Sequence, residues 1–379
     1  MQYRNFGKLD WKVSALGFGC MRLPTVDPNP ISPNIIEDEA IKMIRHAIDN
    51  GVNYLDTAYK YHDGASEIVL GKALKNGYRD KVKVATKSPM MFIKTAEEFD
   101  NILDDQLKKL DIGMIDFYLF HGIGAPTWEI MKDQKLIQRA EAALKAGKIG
   151  HIGFSFHDKY EVFEEIVNGY DGWDFCQIQY NFMDIENQAG TKGLKLAASR
   201  DIAVVVMEPL LGGKLANPLE EIDKLFKEGN RKDTSADLAL QWVWDQPEVS
   251  VVLSGMSNMK QVEENLKSAD RSGTGTLSDN DRKFIEQLKA VYKNRTAIPC
   301  TSCGYCMPCS TGVDIPGVFR VYNDAVMYDS LKSSKGFYNF FFKPESKAGA
   351  CIQCRECEEK CPQKIPISEW MPKVAEKLE

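Results

Sequence analysis

Tyr54-Leu-Asp-Thr-Ala-Tyr-Lys-Tyr61, continuing as His62-Asp-Gly-Ala-Ser-Glu67, is the stretch whose reading decides the fold. An apolar run reaches Asp56, and a polar, aromatic loop follows. This pattern reads as a buried strand that ends by presenting an acid and a tyrosine. Gly64 breaks the loop, and Ser66 and Glu67 open a helical pattern through Ile68, Val69, Ala73 and Leu74. An Asp at a strand end with Tyr61 five residues on fits a catalytic pair on one βα loop. The bland alternative is a capping Asp and a packing Tyr.

Outward from this stretch the same rhythm repeats. Upstream, alternating segments over 3–19 predict a hairpin leading into a strand. A helix over 36–50 carries Ala40, Ile41, Ile44, Ala47 and Ile48 on one face, and Gly51 ends it. Downstream, strands are expected over 82–87, 115–120, 149–155, 175–180, 202–207 and 249–253. Helices are expected over 66–76, 96–110, 135–147, 158–168, 189–200 and 234–245. Thr95 and Glu98 have capping-box spacing, and Ser257 is placed to cap a last helix ending near 269.

The strands are unbroken apolar runs, as a parallel sheet covered on both faces requires. Eight strand-plus-helix units in this order predict an α/β fold, a (β/α)8 TIM barrel. Asp56, Lys87, His121, Ser155 and Gln177 all fall at the C-terminal ends of strands, where such barrels carry their sites. A doubly wound open sheet competes. The first strand is not followed by the Gly-x-Gly-x-x-Gly turn it would favour.

The chain has 379 residues, enough for one barrel and a small module. A hydrophobic content of 44%, a charged content of 27% and a net charge of −6 fit a globular protein with no nucleic-acid or membrane partner. No apolar leader and no run of ~18 apolar residues is present, so the expected compartment is cytoplasmic. The expected division is a barrel over 1–275, a connecting helix over 276–298 capped by Ser278, and a cysteine-rich module over 299–379.

Eight of the ten cysteines lie between Cys300 and Cys361, which argues for metal rather than disulfides. The first run is Cys300-x2-Cys303-x2-Cys306-x2-Cys309. The second, Cys351-x2-Cys354-x2-Cys357-x3-Cys361-Pro362, is the bacterial ferredoxin spacing for iron–sulfur clusters. The first run departs from it, with one residue fewer before Cys309 and Ser310 in place of Pro. The spacing predicts a ferredoxin-like module with two 4Fe-4S clusters. Cys300, Cys303, Cys306 and Cys361 would hold one, and Cys351, Cys354, Cys357 and Cys309 the other. Structural zinc is the alternative, although zinc favours separated Cys-x2-Cys pairs.

Residues 1–290 resemble the aldo-keto reductases, (β/α)8 barrels that use an Asp, Tyr, Lys and His tetrad with a nicotinamide cofactor. The family's Asp-Thr-Ala-x-x-Tyr element stands here as Asp56-Thr-Ala-Tyr-Lys-Tyr61, its lysine as Thr86-Lys87, and its histidine as His121 closing Tyr-Leu-Phe-His. The resemblance implies Tyr61 as proton donor, Lys87 as the ammonium that lowers its pKa, Asp56 as the group holding Lys87, and His121 as the carbonyl-positioning residue. It also implies a cofactor groove. Gly19, Cys20 and Met21 would approach the nicotinamide, and Ser155 and Gln177 would bond its carboxamide. Met207 would take the stacking position, and Glu208, Leu210 and Gly212 the loop over the pyrophosphate. Gly255, Ser257, Gln261, Glu264 and Asn265 would grip the adenosine end.

The sequence departs at three of these places. Phe156 follows Ser155 where an Asn is common, Met207 replaces a usual aromatic, and Gln261 stands where many members carry an Arg for the 2′-phosphate. Glu208 is an unexpected charge beside phosphates. NADP is the expected cofactor, with NAD as the alternative. The expected activity is oxidoreduction of a small-molecule carbonyl or alcohol, coupled to or associated with electron transfer through the clusters, with an electron-transfer protein as partner. The competing reading is a non-catalytic redox-sensing or docking subunit.

Overall fold

The computed structural model describes residues 1–27 and 29–379. Ten strands form two sheets. β1 (Tyr3–Phe6) and β2 (Leu9–Ser14) make an antiparallel hairpin. The other eight are β3 (Leu16–Gly19), β4 (Tyr54–Asp56), β5 (Lys83–Pro89), β6 (Ile115–Ile123), β7 (Ile149–Phe156), β8 (Phe175–Gln179), β9 (Ala203–Met207) and β10 (Val249–Gly255). They close into a parallel barrel in sequence order, with β10 beside β3. This is the expected (β/α)8 fold.

Side chains fill the barrel interior, as the alternating inward positions of such a barrel require. Tyr54, Phe117, Leu119, Phe175, Val205 and Val251 meet there, and Phe6 from the hairpin joins them. The Phe6 ring lies 4.8 Å from that of Phe117 and 5.9 Å from that of Tyr54. Room for these rings comes from small neighbours. A Cβ on Gly153 would lie 2.5 Å from the Phe175 ring, so glycine is required there.

The helices start where their caps dictate. Thr95 and Glu98 form the expected capping box of the helix Ala96–Leu110, and Ser278 with Asp281 forms one for Asp279–Asn294. The helix Met259–Asp270 corrects its expectation. Its cap is Asn258, whose Oδ1 accepts from Gln261 N at 3.0 Å, and not Ser257. Two further helices, Ala125–Asp133 and Glu220–Glu228, lie outside the helices expected from the sequence.

By contacts the chain divides into two units, Met1–Gly212 with Ala236–Leu277, and Gly213–Ser235 with Ser278–Glu379. The excursion 213–235 thus groups with the C-terminal unit rather than with the barrel. That unit has an apolar core of its own, including Ile298, Val318, Phe319, Ile367, Met371 and Val374. The amphipathic helix Ile367–Leu378 packs inward on this core. Among the described residues no helix is long and apolar enough to cross a membrane.

Candidate active site

Because the eight barrel strands run parallel, their C-terminal ends share one rim. Each strand brings a marked residue there: Gly19, Asp56, Lys87, His121, Ser155, Gln177, Met207 and Gly255. The centre of the arrangement is a buried ion pair. Lys87 Nζ lies 2.6 Å from Asp56 Oδ1, with Lys87 only 1% exposed and Asp56 3%. The ammonium also donates to the Thr57 carbonyl at 2.7 Å and to the Tyr61 hydroxyl at 3.3 Å. The second Asp56 oxygen accepts from Gln177 Nε2 at 2.6 Å. The His121 ring stands 6.0 Å from that of Tyr61, nearly perpendicular to it. Separating a buried pair leaves an uncompensated charge, at about 3–5 kcal/mol, so these partners hold each other in place.

A second layer fixes the strand behind Lys87. Glu67 is fully buried, and its Oε1 accepts from Thr86 Oγ1 at 2.6 Å and Gln106 Nε2 at 2.7 Å. Gln106 Nε2 also reaches the Lys87 carbonyl at 3.1 Å, and Tyr118 donates to Gln106 Oε1 at 2.8 Å. Ser66 bonds Thr57 at 2.8 Å and the Cys20 carbonyl at 2.9 Å, joining the first two βα loops.

Electrostatics assign protonation states. Burial pulls the Lys87 pKa down, but Asp56 and Tyr61 outweigh it, and the net direction is up. Burial pushes the Asp56 carboxyl up while Lys87 and Gln177 pull it back, and the 2.6 Å contact keeps the pair ionised. Tyr61 corrects the sequence expectation. Lys87 lowers its pKa as expected, yet burial acts the other way and prevails, so the hydroxyl stays protonated. His121 is pushed down to about 3, by burial first and then by Lys87 and His157, and is a neutral imidazole.

The groove residues are less uniform. Gln177 donates its Nε2 to Asp56, which leaves its Oε1 to accept, and Ser155 Oγ accepts from Gly122 N at 2.8 Å, which leaves its O–H to donate. Cys20 is buried, whereas Met21 is 39% exposed. Asn265 bonds Ser254 at 2.9 Å, and Gln261 Oε1 accepts from Ser257 N at 2.8 Å. Glu264 faces Lys260 at 3.7 Å. Leu210 packs against the barrel core beside half-buried Met207.

Sequence reasoning missed two residues here. A Cβ on Gly212, where φ is 65°, would lie 3.4 Å from Glu208 Oε2 and 3.5 Å from an Arg22 guanidinium nitrogen. A Cβ on Gly255 would meet the Arg22 side chain at 3.5 Å. Glu208 and the Arg22 guanidinium thus both border the Gly212 backbone, and Arg22 borders that of Gly255 as well. A bare backbone next to a guanidinium fits a pyrophosphate. The other missed residue is His157, directly after β7. Burial and Lys87 hold its pKa down, while Gln188 opposes them. The sequence signal was a histidine two residues beyond the marked Ser155.

The C-terminal unit brings the cysteines together in two recesses. Cys300, Cys303, Cys306 and Cys361 line one. Cys309, Cys351, Cys354 and Cys357 line the other, with Cys306 at its edge. The grouping crosses between the runs as their spacing predicts. Ser302 and Gln353, each two residues after the first Cys of its run, both have positive φ, as do Gly304 and Arg355 two residues further on. The two runs therefore turn alike. Burial, then neighbouring thiols, raises the pKa of Cys306 and takes that of Cys357 up to about 11. Burial raises Cys309 too, but hydrogen bonds from Thr311 and the backbone of 311–313 prevail and lower it. No three of these donors, among the described residues, stand as close as a single metal ion needs. Two multi-thiol recesses suit a wider cluster, whose thiolate ligands stand further apart.

Comparison with known proteins agrees with this anatomy. Residues 15–288 match the aldo/keto reductase family, and residues 299–365 match a 4Fe-4S dicluster domain. The chain belongs to the aldo/keto reductase family. It is 28% identical over 299 residues to a probable aldo-keto reductase of Glycine max, covering 69% of this chain and 82% of that one. An aldo-keto reductase of Bacillus halodurans superposes with a TM-score of 0.63 at 27% identity, covering 76% of this chain and 96% of its own. One from Klebsiella pneumoniae, solved with NADPH, gives 0.61 at 23% identity over 76% of this chain and 96% of its own.

Proposed function

We propose that the barrel reduces a small-molecule carbonyl, or oxidises the corresponding alcohol, with NADP(H). A bound nicotinamide dinucleotide supplies or accepts the hydride. Tyr61 donates its proton to the carbonyl oxygen. Lys87, fixed by Asp56, stabilises the tyrosinate that remains. Neutral His121 offers a ring N–H to the same oxygen without competing for the proton. The observation that carries this reading is the buried chain Asp56–Lys87–Tyr61, with links of 2.6 and 3.3 Å. A vestigial barrel has no need to keep an ion pair this deeply buried.

NADP is favoured over NAD by the NADPH in the Klebsiella protein and by Lys260, which is 82% exposed near Ser257. In the C-terminal unit the two recesses would each hold one 4Fe-4S cluster, ligated by the crossed sets of four thiols. Each cluster moves one electron, and the dinucleotide moves two together as hydride. We read the two chemistries as associated in one chain.

The test is anaerobic purification with iron, sulfide and nucleotide analysis, then fluorescence titration with NADPH and NADH, then a panel of simple aldehydes and ketones. NADPH consumption with matching alcohol formation is the expected result. Failure to bind either dinucleotide overturns the reading. Zinc without sulfide overturns the cluster assignment alone.

A further inference from the structure

The helix Leu331–Phe341 of the C-terminal unit presents two different faces. Ser334 and Tyr338 are buried, and the Tyr338 hydroxyl accepts from Ala348 N at 2.6 Å. The outer side carries Phe337, Phe340 and Phe341, exposed by 45%, 77% and 60%. Their rings pair with one another, at 4.6 Å for Phe337–Phe341 and 4.8 Å for Phe340–Phe341.

Four lysines share this stretch of chain, Lys332 and Lys343 exposed and Lys335 and Lys347 half-buried. Over 331–347 the chain has Lys332, Lys335, Lys343 and Lys347, with Glu345 as the one acid. None of the four lysines is in an ion pair among the described residues, although Lys347 donates to Asn339 at 2.7 Å. A positive surface of this kind stands out in a chain of net charge −6.

The patch also leads to one cluster recess. Just past the helix, Ser346 O accepts from Asp314 N at 3.1 Å, and a Cβ on Gly312 would lie 3.4 Å from the Glu345 carbonyl oxygen. Gly312 N bonds Cys309 O at 3.0 Å, and Cys351 N bonds Ala348 O at 3.1 Å. The segment after the patch is thus held between Cys309 and Cys351, which line the same recess.

We propose that this face docks an acidic protein carrying a one-electron redox group. The proposal rests on the electron-transfer reading of the cluster unit. Unpaired lysines attract an acidic surface at long range, and exposed aromatics supply a small apolar centre. Electron-transfer encounters are of this modest kind, typically below about 1,200 Å² of buried surface. In each encounter the reduced carrier loses one electron and the cluster gains one, with no bond made or broken. A second copy of this chain is a poor occupant, because a self-complementary contact would set the unpaired lysines against each other.

The test uses the anaerobic, cluster-loaded full chain with two probes, a reduced acidic [2Fe–2S] ferredoxin and an acidic flavodoxin. Binding is measured at low and high salt, and cluster reduction is followed by stopped flow, with dithionite as the small-molecule control. One variant combines Phe340→Ser with Phe341→Ser. The other combines Lys335→Glu with Lys343→Glu, which leaves the aromatic face intact should the first load its clusters poorly. Salt-sensitive binding is expected. Both variants should slow reduction by the carriers about tenfold or more while leaving the dithionite rate unchanged. Absence of salt-sensitive binding to both carriers, or unchanged carrier rates in the lysine variant, overturns the proposal. So does a change confined to pelleting with phosphatidylserine vesicles or to oligomeric state. Clusters that dithionite cannot reduce would fail the electron-transfer reading itself, and the proposal with it.

Discussion

The two units hold their reactive groups in opposite ways. In the barrel, Asp56, Lys87 and Tyr61 are tied to one another, and Glu67, Thr86 and Gln106 brace the strand behind Lys87. In the C-terminal unit Cys303 and Cys354 are exposed, five of the other thiols in the two runs are half-buried, and all are free thiols. The barrel site is preorganised by the chain itself. The thiol recesses are shaped by the chain but gain most of their cross-links from a metal cluster. Burial organises the first, whereas in the second ligation would add to an apolar core.

The largest effect should come from removing the metal. Stripping iron, or Cys361→Ala, is expected to make 300–361 sensitive to protease, and Cys361→Ala to lower iron content by clearly more than one ligand's share. The barrel melting transition should stay in place, checked by limited proteolysis and calorimetry. A variant that keeps two intact clusters by electron paramagnetic resonance breaks the crossed ligation. Next, Tyr61→Phe should lower kcat/KM for carbonyl reduction by ~10²–10⁴-fold with NADPH affinity nearly unchanged. Asp56→Ala strands a buried ammonium and should destabilise the barrel by about 3–5 kcal/mol, read from denaturant unfolding, while iron content stays constant.

A pH profile sharpens the contrast further. Reduction needs Tyr61 protonated, and burial holds its pKa above the ordinary value of about 10. Activity should therefore persist through neutrality and fall only as the pH rises past that point. His121, at about 3, should add no limb near pH 6. A falling limb at pH 6–7 would contradict the neutral-histidine assignment. The smallest effect expected is a modest preference for NADPH over NADH, reduced by Lys260→Met, in fluorescence titration.

The barrel was legible because buried parallel strands read as unbroken apolar runs, and the tetrad because Asp56, Lys87 and His121 fall near strand ends with Tyr61 five residues after Asp56. The helices Ala125–Asp133 and Glu220–Glu228 were hidden because neither has a side-chain cap and both mix charges into short segments. Asn258 was mistaken for its neighbour because Ser257 is an equally good capping type, and only backbone geometry separates them. The net shift of Tyr61 depends on burial in three dimensions, which no spacing reveals. Arg22 and His157 lie outside the quoted motifs, and only the folded rim sets them against Glu208 and His121.

The central claim is that the barrel's own residues complete a hydride transfer to a carbonyl. The most direct measurement is a single turnover of the cluster-loaded protein with 4,4-dideuterated NADPH and an aldehyde that it consumes, with the product analysed by mass spectrometry and NMR. The account predicts one deuterium on the former carbonyl carbon, and turnover slowed by ~10²–10⁴-fold in Tyr61→Phe. Alcohol formed without that deuterium, or at the wild-type rate in Tyr61→Phe, would contradict it.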